Sequence, residues 1–399
     1  MRNLKTILMG SAAAVALLCA CNSAPEVQLT KSGINPADFD TCIAVAYDAE
    51  AGQFKADPDN AKQVKLYTLT NKNGMEVCIT NFGGRIVSIM VPNKDGELVD
   101  VACGFDKIEN YFPWNFETDF GCSVGRYANR INNGEYTYNG EKVTLPKNNN
   151  GVACLHGGYT GWQYQVYDEY EVTPQSVTLQ ITSLDGDNQF PGEVVANVDF
   201  KLTDNNEIII SYDGVADAPT VLNMTNHTYF NLSGDLNNTI DESILYVNAD
   251  NYTPGDDNLI PTGEIRPVEG TVFDFRTPKA IGKDIDADDE QIKNGNGYDH
   301  CFVLNKKEVG ELSFAVRLTD PKSGRTLETY TTEPGMQVYT DNWDSGNPIQ
   351  LGCTAPRRSA ICFECQHFPD SPNRPYFPST VLKPGEKYTQ KTIYKFGVN

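Results

Sequence analysis

Polar and apolar residues alternate strictly along the stretch Ser176-Val177-Thr178-Leu179-Gln180-Ile181-Thr182. This period of two residues is typical of a β-strand that has one buried face and one solvent face. Comparable runs occur upstream at 64–69, 75–80 and 85–91. The sequence therefore predicts many short strands, which begin near residue 64.

Turn signals join these predicted strands into hairpins. Asn139-Gly140 separates the runs 136–138 and 142–145, and Asp204-Asn205-Asn206 follows a similar run. Asn-Gly favours the tight turn of a two-residue hairpin. No long segment has helical spacing, no short repeat recurs, and the composition is even after about residue 60. We therefore predict one all-β domain over 61–399, a large antiparallel β-sandwich.

The N-terminus has the organisation of a secretory signal. Basic residues and then a short apolar run precede Leu18-Cys19-Ala20-Cys21. The apolar run is too short for a permanent transmembrane helix, and small residues with a cysteine stand where cleavage is expected. We predict a signal peptide at 1–20, a lipidated N-terminus at Cys21, and a tether over 21–60 that is rich in Asp, Ala, Asn, Pro and Ser.

The net charge of the chain and the cleavage motif Leu18-Cys19-Ala20-Cys21, a lipobox, limit which partners and which location we expect. The formal net charge of −21 disfavours nucleic acid and favours neutral small molecules over phosphorylated ones. We expect contact with a membrane only through the lipid anchor, and we expect a monomer. Asn22 follows Cys21, so this position lacks the aspartate that would retain a lipoprotein in the inner membrane. We therefore expect an exported lipoprotein, anchored in the outer membrane and facing the periplasm.

Several classes of chemistry lack their signatures in this sequence. The chain has only four histidines: His156, His227, His300 and His367. None of them pairs at metal-ligand spacing, so no metal site is predicted. A Gly-x-Ser-x-Gly elbow, a Walker loop and a dinucleotide fingerprint are absent. Cys362 and Cys365 have redox spacing, but residues three apart on a strand point to opposite faces, so we interpret both as packing residues.

One carboxylate interrupts an apolar run. Glu364 lies in Ile361-Cys362-Phe363-Glu364-Cys365, which is otherwise typical of a buried strand, and a buried acid is either paired or functional. Upstream we predict a strand over 221–231 with a polar face that carries His227 and Tyr229. A carboxylate and an imidazole together supply a base and an acid. The polar face suits a sugar-binding cleft, and the pattern fits an ordinary solvent face equally well.

Other polar residues fit a site for a neutral sugar. The motif Leu155-His156-Gly157-Gly158 combines a histidine with glycines that let the backbone approach a ligand. Asn129 and Arg130 offer an amide and a forked donor, and Asp299 offers an acceptor. Taken singly, each of these side chains is more often a surface or ion-pair residue.

Several motifs, in the same order, resemble those of the aldose 1-epimerases, which are also called galactose mutarotases. The motifs are Gly125-Arg126-Tyr127-Ala128-Asn129-Arg130-Ile131, Leu155-His156-Gly157-Gly158, Thr225-Asn226-His227-Thr228-Tyr229-Phe230-Asn231-Leu232, Leu259-Ile260-Pro261-Thr262-Gly263-Glu264, Gly297-Tyr298-Asp299-His300 and Pro334-Gly335-Met336-Gln337-Val338-Tyr339-Thr340. The resemblance runs from about Val64 to the C-terminus and implies a large β-sandwich with its site on a concave sheet face. The lipobox and acidic tether depart from the family's cytoplasmic pattern, which leaves the location and the physiological substrate open.

The resemblance also implies roles for individual residues. Glu364 would be the general base and His227 the general acid. The positions at or beside the sugar site are Asn129, Arg130, His156, Tyr229, Asp299 and Gln337. The implied reaction interconverts the α and β anomers of free hexoses such as galactose and glucose, and we expect Glu364 ionised and His227 protonated at rest. The implied reaction requires no redox cofactor or metal. Whether a structural cation such as calcium binds stays open.

The sequence leaves alternatives open. A glycoside hydrolase on a similar sandwich would need two opposed carboxylates, for which Asp299 and Glu364 are candidates, but His227 would then have no role. A hexose-phosphate epimerase would need a cluster of Arg or Lys, and only Arg130 stands out. A lipid-anchored sugar-binding protein would keep the cleft without turnover. The sequence does not choose among galactose, glucose, xylose and arabinose.

Overall fold

The computed structural model describes residues 28–116, 118–343 and 356–399. The predicted signal peptide and Cys21 lie outside the described residues. Within them the chain is nearly all β, and no helix is long and apolar enough to cross a membrane.

Most strands are short, and they follow one another closely along the chain. In chain order they are β1 (Thr41–Ile43), β2 (Val45–Asp48), β3 (Gln53–Ala56), β4 (Lys62–Val64), β5 (Leu66–Thr70), β6 (Glu76–Thr80), β7 (Arg85–Pro92), β8 (Leu98–Asp100), β9 (Ser123–Val124), β10 (Arg130–Asn132), β11 (Glu135–Tyr138), β12 (Glu141–Thr144), β13 (Ala153–Leu155), β14 (Asp168–Thr173), β15 (Ser176–Ser183), β16 (Val194–Leu202), β17 (Glu207–Ala216), β18 (Thr220–Val221), β19 (Thr225–Asn226), β20 (Tyr229–Phe230), β21 (Ile244–Val247), β22 (Ala249–Thr253), β23 (Arg266–Pro267), β24 (Lys279–Ala280), β25 (Asp299–Leu304), β26 (Ser313–Thr319), β27 (Arg325–Thr331), β28 (Gly335–Tyr339), β29 (Ile361–Gln366), β30 (Val381–Leu382) and β31 (Tyr388–Val398). The helical elements of the described residues are the α-helix α1 (Glu290–Gly295) and 3₁₀ helices at Pro36–Phe39, Pro58–Asn60, Ile108–Tyr111, Trp162–Tyr164, Asp187–Gln189, Ile281–Lys283 and Ser371–Asn373.

Three sheets form the body of the domain. The largest has the strand order β14-β15-β16-β17-β31-β27-β26-β21-β24, the second β20-β29-β28-β25-β22-β23, and the third β5-β6-β7-β8. Neighbouring strands in all three sheets are antiparallel. The predicted all-β antiparallel sandwich is confirmed.

Both predicted hairpins form. β11 and β12 pair around Asn139 and Gly140, whose φ angles of 50° and 84° are the positive values that a type I′ turn requires at both positions. β16 and β17 pair over their whole length on either side of the turn that contains Asn206. The local turn chemistry therefore sets these two registers.

The main core lies between the largest sheet and the two smaller ones. Val177 and Leu179 of β15 point inward and belong to the same buried cluster as Ile79 of β6 and Phe363 of β29. Burying a side chain of this size stabilises the fold by roughly 1.5–3 kcal/mol. The alternating sequence of β15 therefore has the expected cause, one face in the core and one toward solvent.

β29 differs from β15 because both of its faces are buried. Ile361, Phe363 and Cys365 join the main core, whereas Cys362 packs in a different cluster on the other side. Since side chains alternate along a strand, Glu364 shares the face that points away from the main core. The two free cysteines thus occupy opposite faces as packing residues.

The single strand predicted over 221–231 is wrong. The segment contains three two-residue strands that pair with three different partners, β18 with β30, β19 with β9 and β20 with β29. Asn226 accounts for one break: its side-chain nitrogen donates to the carbonyl of Gly121 (2.9 Å), and its Oδ1 accepts from the backbone N–H of Thr228 (3.2 Å). Such side-chain bonds replace a β-ladder locally. The whole segment is buried, so its polar residues do not form a solvent face.

The described part of the predicted tether packs against the sandwich. β1 pairs with β4, and Ile34 and Phe39 are buried beside Phe82 and Val87 in a second core cluster. A few apolar side chains in an otherwise polar segment are enough to attach it to the domain. Residues 28–60 therefore form strands and contribute core residues, in addition to the local structure that was expected.

Candidate active site

The two residues that the resemblance marks as base and acid are neighbours. His227 Nε2 lies 3.4 Å from Glu364 Oε1, and the side chains are 5% and 3% exposed. The backbone of His227 is held on both sides, because its N–H donates to the carbonyl of Cys122 and its carbonyl accepts from the N–H of Gly121 (2.9 Å each). The imidazole is therefore fixed against the carboxyl group.

Three adjacent strands place polar side chains on the same sheet face as Glu364. Gln337 of β28 lies directly opposite Glu364 in the ladder, and its neighbours Met336 and Val338 belong to the main core. Gln337 Nε2 donates to Oδ1 of Asp299 in β25 (2.6 Å). The alternation of side chains in neighbouring strands thus brings a carboxylate, an amide and a second carboxylate together.

Arg130 and Asn129 come from the start of β10. Arg130 Nε donates to Oδ1 of Asn149 (3.1 Å), which orients the guanidinium. Asn129 adopts a positive φ of 65°, and its Oδ1 accepts from the backbone N–H of Arg130 (2.8 Å). Burial raises the pKa of both Glu364 and Asp299, and the charge of Arg130 opposes that rise in each, so the guanidinium acts on both carboxyl groups.

His156 lies beside His227, with ring centroids 5.4 Å apart. Its Nδ1 accepts a hydrogen bond from the backbone N–H of Asn129 (3.2 Å), and burial lowers the pKa of His156 to about 3. The neutral ring must then carry its hydrogen on Nε2, which makes it a donor. The glycine after it is required, because a Cβ on Gly157 would lie 2.1 Å from the carbonyl oxygen of Gly125.

Tyr229 packs against His227 in a nearly parallel arrangement, with centroids 5.0 Å apart. Tyr229 also forms an edge-to-face pair with Phe120, with ring centroids 4.7 Å apart, and belongs to the second core cluster. This position supports the imidazole ring from the side of the protein interior.

Burial dominates the protonation of the central pair. It raises the pKa of Glu364 well above its usual range, and the charges of Asp299 and Asp119 raise it further. It lowers the pKa of His227 to about 4, against the opposing effect of Asp119. Without a ligand the site therefore favours a neutral pair, with the proton on the carboxyl group. The resting ion pair that we expected from the sequence differs from this state by one proton transfer.

Asp119 is a site residue that sequence reasoning missed. It lies in an irregular stretch without a motif, so no local signal marks it. Potential ligand atoms of Asp119, His156 and His227 lie within 4.8 Å of one another. The hydrogen-bonding state of His156 does not fit a metal, because binding through Nε2 would move its hydrogen to Nδ1, against the N–H of Asn129.

Several buried polar atoms of the site lack a hydrogen-bond partner in the described part of the chain. Glu364 Oε2, Gln337 Oε1 and His227 Nδ1 have no hydrogen-bond partner among the described residues. Buried polar atoms are nearly always paired in folded proteins, so these atoms can accept a polar partner such as a water or a ligand hydroxyl. A cleft of about 650 Å³ opens at Asp119 and at His156, whose ring lies beside that of His227.

Comparison with known proteins identifies the family. Residues 65–395 match the sequence profile described as aldose 1-epimerase. The chain belongs to the aldose 1-epimerase family. It is 40% identical to galactose mutarotase from Mus musculus over 346 residues, which cover 86% of this chain and 96% of that protein. It is 37% identical to aldose 1-epimerase from Escherichia coli, covering 83% of this chain and 95% of that protein.

Solved structures agree with this family assignment. The aldose epimerase homologue from C. elegans superimposes with a TM-score of 0.77 at 31% identity, covering 84% of this chain and 99% of that one. Galactose 1-epimerase from Lactobacillus acidophilus gives 0.75 at 29% identity, covering 86% and 97%. The resemblance to aldose 1-epimerases is therefore confirmed, and the hydrolase and binding-protein alternatives are not favoured. The match to the family profile begins at residue 65, so β1–β4 precede it.

Proposed function

We propose that this isomerase interconverts the α and β anomers of free aldoses such as galactose and glucose, with Glu364 as general base and His227 as general acid. The observation that carries the proposal is the buried contact of 3.4 Å between Glu364 Oε1 and His227 Nε2. A carboxyl group and an imidazole at this distance can act on two neighbouring oxygens of one substrate.

The reaction requires two proton transfers. The base removes the proton of the C1 hydroxyl while the acid protonates the ring oxygen, and the bond between C1 and the ring oxygen breaks to give the open-chain aldehyde. Rotation about the C1–C2 bond and closure on the other face then give the second anomer, with acid and base in exchanged roles. Each positioned group contributes roughly a hundredfold to ten-thousandfold in rate. The chemistry needs no cofactor or metal.

The remaining site residues are suited to binding hydroxyl groups. Asp299 and Gln337 share a hydrogen bond and can bind neighbouring hydroxyl groups of the sugar. Arg130 and the Nε2–H of His156 are donors that can stabilise negative charge as it develops on the sugar oxygens. Asn129 supports Arg130 and His156 through the backbone, and Tyr229 supports His227.

The decisive test is polarimetry of freshly dissolved α-D-galactose and α-D-glucose with wild-type protein and Glu364→Gln. Glutamine keeps the shape and removes the base, so we expect turnover to fall by at least about a hundredfold while sugar binding is largely kept. Glu328→Gln, on β27 of the largest sheet, is the matched control and should turn over normally. Near-normal turnover of Glu364→Gln would make Glu364 a structural residue.

We propose further that the protein is an exported lipoprotein anchored through Cys21 in the outer membrane and facing the periplasm. The support is the signal-like N-terminus, the cysteine at its end and Asn22 after it. Labelling with a fatty-acid analogue should mark wild type and Cys42→Ser but not Cys21→Ser, because Cys42 is exposed but lies within the domain. Recovery of wild-type protein in the inner membrane, or without label, would contradict this proposal.

A further inference from the structure

Asp119 brings a second carboxylate to the imidazole of His227. One carboxylate oxygen of Asp119 and one ring nitrogen of each of the histidines His156 and His227 lie within 4.8 Å of one another. Glu364 does not belong to this cluster, and it approaches His227 separately, with Oε1 at 3.4 Å from Nε2. The proposed reaction assigns roles to Glu364 and His227 and none to Asp119.

The backbone around Asp119 is held by a buried arginine. Arg85 is fully buried, and its guanidinium donates to the carbonyls of Thr118 (3.2 Å) and Phe120 (2.8 Å), one on either side of Asp119. The carbonyl of Asp119 itself accepts from the N–H of Cys122 (3.2 Å). Because these hydrogen bonds use only the backbone of the turn, a substitution of the Asp119 side chain leaves them in place.

The same turn is bonded to the backbone of His227. Cys122 accepts from the N–H of His227, and Gly121 donates to the carbonyl of His227 (2.9 Å each). The side chain of Asn226 adds a third bond, to the carbonyl of Gly121 (2.9 Å). The turn and the candidate acid therefore form one hydrogen-bonded unit, in which the carboxylate of Asp119 has a fixed place beside the imidazole.

The charged and titratable side chains that face His227, apart from Glu364, are Asp119, His156, Arg85, Cys122, Tyr229 and Tyr339. Burial raises the pKa of the thiol and of both phenols, so these three groups are neutral. Burial lowers the pKa of His227, the charges of His156 and Arg85 lower it further, and the charge of Asp119 raises it. Within this set, Asp119 is therefore the side chain whose charge favours a protonated imidazole.

We propose that Asp119 is a positioning residue for the shared proton of the catalytic pair: its carboxylate stabilises protonated His227 and so prepares Glu364 to act as the base. The inference rests on the proposed function. In the resting pair the carboxyl group of Glu364 holds the proton, and its transfer to His227 gives the carboxylate and the imidazolium that ring opening needs. Because Asp119 is clustered with the imidazole and not with Glu364, its negative charge acts more strongly on the imidazole. Asp119 takes no proton from the sugar and acts through His227.

The test is the pH profile of kcat/KM for α-D-glucose, measured by polarimetry with wild type and Asp119→Asn. Asparagine keeps the shape of the side chain and removes its charge. Burial lowers the pKa of His227, burial and Asp299 raise that of Glu364 against the charge of Arg130, and the charge of Asp119 raises both. Without this charge both limbs of the bell-shaped profile should move to lower pH, by about one pH unit.

The kinetic constants separate this role from sugar binding. In Asp119→Asn the maximal kcat should fall about tenfold, because one pKa unit at His227 is a factor of ten in its protonation. KM should change little, because the proposed role of Asp119 is to stabilise a proton and not to bind the sugar. Asp119→Glu restores the charge on a longer side chain, so both limbs should return toward their wild-type positions.

The control is Asp95→Asn, which removes an exposed carboxylate from the turn between β7 and β8 and should leave both limbs in place. If Asp119→Asn is active and its limbs coincide with those of wild type, Asp119 has no effect on the shared proton and the inference is wrong, whatever the change in kcat. A wild-type protein that accelerates no sugar would overturn the proposed function, and this inference with it.

Discussion

At the residue scale, Glu364 and His227 share one proton, which can be bound to either side chain. With the proton on Glu364 the pair is neutral, which burial favours, and with the proton on His227 the pair is ionised, which the reaction needs. The two forms differ by a transfer over 3.4 Å. Acid and base exchange roles in the ring-closing step, which returns the proton to His227 and leaves Glu364 ionised, so a pair in which either side chain can hold the proton suits both directions of the anomer exchange.

This proton count predicts a bell-shaped pH profile of kcat/KM. At pH values below about 4 the pair takes up a second proton, which binds to His227 while Glu364 is still protonated. No group of the pair can then act as a base. At high pH the pair loses its only proton, at the raised pKa of Glu364. Polarimetric rates across pH, corrected for the uncatalysed reaction, should therefore show an acid limb near pH 4. A flat profile, or an acid limb near the usual pKa of histidine, would contradict the single-proton pair.

At the scale of elements, the sequence predicts where strands form better than it predicts which strands pair in a sheet. Alternation in β15 and the Asn139-Gly140 turn are local signals, and both give the observed structure. Alternation also places Glu364 and Phe363 on opposite faces. The order β25-β28-β29, which brings Gln337 beside Glu364, is a pairing of distant segments that no local pattern encodes.

The parts of the site that the sequence misplaces are those with irregular backbone. The segment from Val221 to Asn231 alternates as a strand would, but hydrogen bonds of the Asn226 side chain interrupt it. Asp119 stands in a stretch without periodicity, and only the fold brings it to His156 and His227. The family motifs nevertheless select both His227 and His156, whose rings lie 5.4 Å apart, because several motifs in order are a far more specific signal than periodicity.

At the scale of the whole molecule, the N-terminal segment is the main difference from the sequence-based expectation. Its composition is that of a tether, and composition averages over the few apolar side chains that matter. Ile34, Phe39 and Val45 have no regular spacing, so no pattern distinguishes them from residues of a linker, yet all three are buried. The same segment carries the hairpin β2–β3, whose residues Tyr47 and Phe54 line the cleft.

If the segment is part of the domain, removing one of its core side chains must destabilise the whole domain. Phe39 is fully buried and contacts the ring of Tyr111 at a centroid distance of 6.4 Å. Phe39→Ala should therefore lower the free energy of unfolding by about 3–5 kcal/mol, as large-to-small substitutions in a core do. Denaturant titration followed by tryptophan fluorescence measures this change, with Leu29→Ala, a 54% exposed residue of the same segment, as the control. An unchanged midpoint for Phe39→Ala would mean that the segment detaches on its own before the sandwich unfolds. The cleft would then lose the hairpin β2–β3 while the sandwich stays folded.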